Sequence, residues 1–312
     1  MSHALTGGEV RVPSHARGRR VRRGRHRGEP GDDKFGGTVD ALAGLARSGM
    51  QVSARAVELH SGRELYAIDD HISMPTASLG KVLLLIEVAD RVVRSPTTSL
   101  TRAAPESGGS PFAGAPGIWQ HFQGDALSAA DLAALVGSVN DAAAFNALTG
   151  WVGLAAVRVR AESLGLNKTA LLDEFRARRG PDDAPQLSIA SMRELCWLLG
   201  ALARGEIVNH HVSALVVGWL ALGSDLSLVA SGFGLDPNSH AVGDHDVLLM
   251  NATGAERGVR AEAGVLQGPR ATVAYSVAVT FADTDLGVRM RVLEALRRCG
   301  HELLDFVHSS PS

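Results

Sequence analysis

Strand-like patterning occurs near both ends of this chain, and helix-like patterning fills the long stretch between them. QVSARAVEL and ELYAI alternate around a turn at Ser61-Gly62, which predicts a β-hairpin. Residues 77–93 read as a long apolar helix, and helical segments dominate from there to about residue 222. Strand signals return after Gly243. DVLLMNATG reads as one strand, and VRAEAGVL and TVAYSVAVTF form a pair around Gln267-Gly268-Pro269-Arg270. Phe35, Val39, Leu42 and Leu45 predict a first helix ahead of the hairpin, and residues 286–307 predict an amphipathic last one. Ser128 with Asp131, and Ser191 with Glu194, have the capping-box spacing that opens helices inside the block. Consecutive strands with tight turns imply an antiparallel sheet. The two ends of the chain therefore share one sheet, with the helical block inserted between its strands.

Composition narrows the function. The chain has 312 residues, 45% apolar and 21% charged, which is ordinary for a globular protein. The apolar run Val82–Ile86 is far too short to cross a bilayer, so no membrane partner is expected. The formal charge of −2 conceals a split: residues 1–30 hold eight Arg against Glu9 and Glu29, and the remainder carries −8. An acidic body argues against a nucleic-acid surface there. The Arg-rich tail, residues 1–34, lacks apolar patterning and is expected to be disordered. It is either a solvated segment or a contact for RNA or an acidic partner. Arg19-Arg20 resembles a twin-arginine export start, but the following VRRGRHRGEPGDDK is too polar for one. A cytoplasmic location is expected, with Cys196 and Cys299 as free packing thiols.

Lysine is rare here. Lys34, Lys81 and Lys168 stand against 28 Arg. Lys81 lies three residues after Ser78 in TASLGKVLLLIE, a spacing that puts both side chains on one helical face. A helix N-terminus and an apolar setting both favour a neutral lysine, which can act as base toward a serine nucleophile. Alone, the pair is equally a helix cap and a chance lysine. Two further short segments follow in order: Ser138-Val139-Asn140, between two predicted helices, and Ala252-Thr253-Gly254-Ala255, at the end of a predicted strand.

In that order the three segments resemble the Ser-x-x-Lys, Ser-Asp-Asn and Lys-Thr-Gly triplet of the penicillin-recognising serine enzymes. The likeness is to class A β-lactamase-like serine hydrolases of the short cytoplasmic actinobacterial type. It spans about residues 35–308 and includes LGKVLLLIEVADRV, GIWQHF, LLDEFRARRGPDDAP, GWLALGSDLSLVASGFGLDP and TGAERGVRAEAGVLQGP. It implies an α/β (α+β) fold: a five-stranded antiparallel sheet flanked by helices (residues 35–76 and 223–312) plus an inserted all-helical domain (77–222). It implies no cofactor and no metal, and a small-molecule acyl substrate.

The resemblance also assigns roles. Ser78 would be the nucleophile and Lys81 its general base. Ser138 would relay a proton to the leaving group, and Asn140 would bind Lys81 and the substrate amide. The Thr253 hydroxyl would meet a substrate carboxylate or carbonyl beside Gly254, and the N–H groups of Ser78 and Ala255 would form the oxyanion hole. Two departures stand out. Val139 replaces the usual Asp, with Asp141 as the nearest acid. Ala252 replaces the lysine that in relatives holds the substrate carboxylate, and Arg260 is the candidate to compensate, since guanidinium grips carboxylates. The deacylation base is open between Asp173, Glu174 and neither.

Other side chains rank lower. His240, Asp244, His245 and Asp246 read as a polar loop ahead of a metal site; His210-His211 as a solvated helix start; and His121 as packing ahead of a cleft residue. The expectation is a serine hydrolase acylated by a β-lactam or a related ester or amide, weak on β-lactams. The alternatives are a cytoplasmic esterase or acyltransferase of small-molecule metabolism, and a non-catalytic ligand-binding relative.

Overall fold

A computed structural model describes residues 34–102, 117–176, 178–238, 240 and 245–308. The Arg-rich tail and Asp244 lie outside the described residues. Helix α1 (Gly36–Arg47) leads into the hairpin β1 (Gln51–Glu58) and β2 (Glu64–Ile68). A short strand, β3 (Ser73–Pro75), and a 3₁₀ turn over Ala77–Gly80 precede α2 (Lys81–Arg94). The inserted segment continues through β4 (Ser99–Thr101), β5 (Ala126–Ser128), α3 (Ala129–Val139), α4 (Ala142–Val152), α5 (Leu154–Ser163), β6 (Ala170–Leu171), β7 (Ser188–Ser191), α6 (Met192–Ala203) and α7 (His210–Ala221). The chain then returns to the sheet as β8 (Leu248–Glu256), β9 (Val259–Gln267) and β10 (Thr272–Thr280), and ends in α8 (Leu286–His308).

The main sheet is fully antiparallel in the order β2-β1-β10-β9-β8. Its central strands are apolar on both faces because both faces are covered. Small residues, Ala261, Ala263, Ala274 and Ala278, face the core shared with α2–α7. Larger ones, Val273, Tyr275, Val277 and Val279, face the core shared with α1 and α8. The small side lets α6 lie close, and Ser276 Oγ donates to the Met192 carbonyl at 2.7 Å. Among the described residues no single helix is long and apolar enough to cross a membrane. Only α4 and α5 together meet that length, across a 79° bend.

The five-stranded sheet and its helices agree with the sequence reading, and so do the caps. Ser128 Oγ accepts from Asp131 N–H at 3.0 Å and Ser191 Oγ from Glu194 N–H at 3.3 Å. Two details differ. In α1, Thr38 rather than Val39 faces inward; Val39 is exposed, and Thr38 N–H donates to Glu302 of α8. The helix expected from residue 77 begins only at Lys81. Ser188 accounts for the delay: its hydroxyl donates to the Ala77 carbonyl (2.7 Å) and accepts from Gly80 N–H (3.0 Å). These groups are satisfied across the fold, so the first turn does not need α-helical pairing.

Candidate active site

Ser78 sits on the 3₁₀ turn and Lys81 on the first residue of α2, both almost fully buried. Strand β8 is an edge strand of the main sheet and runs beside this turn. Its approach depends on Gly254: a Cβ there would fall on the Thr76 carbonyl oxygen and press on Ser78 N. The third element is the α3–α4 junction. Asn140 ends α3 in the left-handed conformation (φ 55°, ψ 44°), which asparagine tolerates well, and this turns its side chain out of the helical row.

Asn140 then joins the other two. Its Nδ2 donates to Ser78 Oγ at 3.0 Å, and Lys81 Nζ donates to its Oδ1 at 3.4 Å. Ser78 Oγ donates to the Thr253 carbonyl at 3.1 Å. No hydrogen bond joins Lys81 directly to Ser78 among the described residues; the Asn140 amide bridges them. A cavity of about 240 Å³ is lined by Lys81, Ser138, Asn140, Thr253 and Ala255. Ser78 is hydrogen-bonded to two of these lining residues. Burial pulls the Lys81 ammonium down to about 8, against the opposing pull of the Asp225 charge.

Ser138 lines the cavity, but its hydroxyl donates back to the Ala134 carbonyl at 2.6 Å. Its own carbonyl accepts from Ser224 N–H at 2.9 Å, which draws the loop after α7 against the cavity wall. Asp141 is fully buried and structural. Its carboxylate caps α4 through Ala144 N–H and accepts from Ile118 and Trp119 N–H. It does not replace the acid missing at Val139. Ala252 is a core alanine packed with the helical block.

The structure does not bring the remaining candidates together with Ser78. Arg260 pairs across the sheet with Ala255, but its Nη1 donates to the carbonyls of Glu256 (2.6 Å) and Val259 (2.7 Å) and its guanidinium lies over Phe281. It is not a lining residue of the cavity. Asp173 is held by Arg176 and Arg179. Burial alone would raise its pKa, but these bonds keep the carboxyl below its usual range. Glu174 is half exposed and pairs with Arg176 at 3.4 Å. Asn146 pins the next residue at both its N–H and its carbonyl. Neither acid lines the cavity, so the structure assigns neither as a deacylation base.

Outside the three motif segments the cavity is lined by Gly137, Gly223, Ser224, Asp225 and Asn251, and Asp225 is the one carboxylate among them. Asp225 comes from the loop after α7, and its place follows only from how that loop folds onto Ser138. His121 is exposed on a turn away from the cavity, and His210 and His211 open α7 at the surface. His240 is buried, with Nδ1 3.1 Å from the Asp236 carbonyl. Among the described residues no group of three or more His, Cys, Asp or Glu is placed to hold a metal. Cys196 and Cys299 are free and buried, and burial pushes both thiols up to about 12.

The family model described as "Beta-lactamase enzyme family" matches residues 37–307. A comparison with curated proteins finds no match. Among solved structures, the chain is similar to a β-lactamase from Sphaerobacter thermophilus DSM 20745 (22% identity, 89% of this chain and 98% of that one, TM-score 0.73). It is similar also to PBP-A (19%, 87% and 95%, TM-score 0.69) and to a mutant of the last common ancestor of Gram-negative bacteria class A β-lactamase (21%, 88% and 100%, TM-score 0.68). At these identities the structural likeness is one of fold.

Proposed function

We infer that Ser78 is the nucleophile of this chain, which belongs to the Beta-lactamase enzyme family and is a serine hydrolase acting on amide or ester bonds. The observation that carries this is the Asn140 bridge: one amide contacts both Ser78 Oγ and Lys81 Nζ beside a cavity. With Lys81 near 8, about a tenth of the molecules hold it neutral at pH 7. The neutral amine takes the Ser78 proton as Oγ attacks the acyl carbon. The N–H groups of Ser78 and Ala255 receive the developing oxyanion. The proton passes to the leaving group by way of Ser138 once its hydroxyl turns from the Ala134 carbonyl toward the leaving group, so that Oγ takes the Lys81 proton and gives up its own.

Deacylation is the slow step in this reading. A water attacking the ester needs a base, and Asp173 and Glu174 are tied to arginines away from the cavity. Acylation therefore outpaces hydrolysis, and β-lactams are handled weakly. Ala252 works in the same direction: a charge-assisted hydrogen bond contributes about 1.5–3 kcal/mol, so its loss costs roughly tenfold to a hundredfold on anionic substrates. A second reading, an esterase or acyltransferase of small-molecule metabolism, draws on the same core alanine. In either reading the enzyme works in the cytoplasm, which the two free cysteines support, and the first reading connects it with antibiotic resistance. Intact-protein mass after penicillin, set beside turnover of a chromogenic cephalosporin, tests the proposal. A lasting adduct with little turnover is expected; rapid turnover without an adduct contradicts slow deacylation.

A further inference from the structure

The cavity beside Ser78 holds one carboxylate that acyl transfer does not use. Asp225 is half-buried and lines the cavity with Ser138, Asn140 and Asn251. Its Oδ1 accepts from Ser227 N–H (3.1 Å) and from Ser227 Oγ (2.6 Å). Its Oδ2 takes no hydrogen bond among the described residues. The neighbouring Asn251 amide does not quench it: Nδ2 donates to Glu262 at 3.0 Å and to the Asp225 backbone carbonyl at 3.4 Å.

The positive charge around it is limited. Lys81 is the one basic residue lining the cavity, and it must be neutral at the moment it takes the serine proton. Arg260 is close enough for the Asp225 charge to bear on it, but it lies off the cavity with Nη1 on two carbonyls. The third-motif position is Ala252, in the core. A substrate carboxylate entering here would meet a like charge in a poorly solvated site, and a cation would meet a free carboxylate oxygen.

Asp225 is also tied to one side of the cavity. Ser224, next to Asp225, bonds through N–H and hydroxyl to the Ser138 carbonyl at 2.9 and 3.1 Å. Asp225 therefore lies on the side of Ser138, the residue to which the proposed function gives the proton transfer to the leaving group. Resting on the assignment of Ser78 above, we propose that Asp225 is a specificity-determining residue that selects esters or amides whose leaving group carries a cationic ammonium. In the step itself the Ser78 Oγ–acyl bond forms and the acyl–leaving-group bond breaks. The Ser78 proton ends on the departing alcohol, thiol or amine. At about 240 Å³ the cavity is below the ~300–1,000 Å³ of drug-sized ligand sites, so a short leaving group fits it best.

Three acetyl thioesters test this: those of thiocholine (cationic), 3,3-dimethylbutanethiol (its neutral isostere) and 3-mercaptopropionate (anionic). First-turnover thiol release and the acetyl mass gain on Ser78 are measured, each rate divided by the uncatalysed hydrolysis rate. The cationic ester is expected to lead the neutral one by about tenfold or more and the anionic one by more again, through the attraction of unlike charges alone, since a quaternary ammonium has no N–H to donate. Asp225→Asn is expected to collapse the cationic-to-neutral ratio toward one. The ratio in the unaltered protein stands as a test if the variant does not fold. Equal normalised rates, a lead for the anionic ester, or a cationic lead that survives Asp225→Asn would overturn the role of Asp225 and leave Ser78 standing. No acylation of Ser78, neither an acetyl group from any of the three nor a penicilloyl group from penicillin, would overturn both.

Discussion

The Asn140 side chain touches Ser78 with its nitrogen and Lys81 with its oxygen, at 3.0 and 3.4 Å, from a backbone held at φ 55°. One amide thus sets the distance between nucleophile and base. Asn140→Gly keeps that backbone conformation open and removes only the amide. The acylation rate constant is expected to fall by about 10- to 100-fold with little change in melting temperature. An unchanged rate would remove Asn140 from the site.

Lys81 couples activity to stability. Its pKa is lowered from 10.5 to about 8 in the fold, so the folded chain binds this proton less tightly than the unfolded one. The linkage sign follows: the group destabilises below pH 8, and the cost fades as pH rises from 8 to 10.5. Acylation should rise with pH and level off above about 8. Lys81→Met should abolish acylation yet raise stability at pH 7 by an amount on the order of 3 kcal/mol. Thermal unfolding and labelling of the same sample read both effects.

How much of this was legible in the sequence differs by element. The alternation of β1 and β2, the paired runs of β9 and β10 around their turn, and the serine caps of α3 and α6 are local patterns, and each forms where its residues predict. The Ser78–Lys81 spacing was readable because both residues fall within one turn. The start of α2 was not, because Ser188, 110 positions away, satisfies the turn. Asp173 and Glu174 looked available only while their arginine partners were unknown. Asp225 lies outside the three motif segments; the contact of its loop with Ser138 places it.

Gly254 tests the approach of strand and turn. Gly254→Ala would drive a methyl group onto the Thr76 carbonyl and push β8 away from Ser78. A displacement of this kind costs about a hundredfold in rate. The expected result is a loss of acylation larger than the loss of stability explains, measured on protein shown folded by circular dichroism.

Glu262, bonded to the cavity residue Asn251, makes a pH signature of its own. Burial raises its carboxyl to about 7, although Tyr275 Oη (2.6 Å), Asn251 Nδ2 (3.0 Å) and Val229 N–H (2.7 Å) all donate to it. A raised acid is held protonated in the fold after the unfolded chain has released its proton, so stability falls as pH rises from 4.5 to 7. Glu262→Gln should flatten that slope in melting temperature while lowering its overall level, because the Gln amide nitrogen meets donors.

The most direct measurement of the central claim is peptide mapping after brief exposure to benzylpenicillin or an activated ester. The account predicts one adduct, on Ser78, that forms faster above pH 8 and is absent from Ser78→Ala and Lys81→Met. An adduct on another serine, or equal labelling of Ser78→Ala, would contradict it.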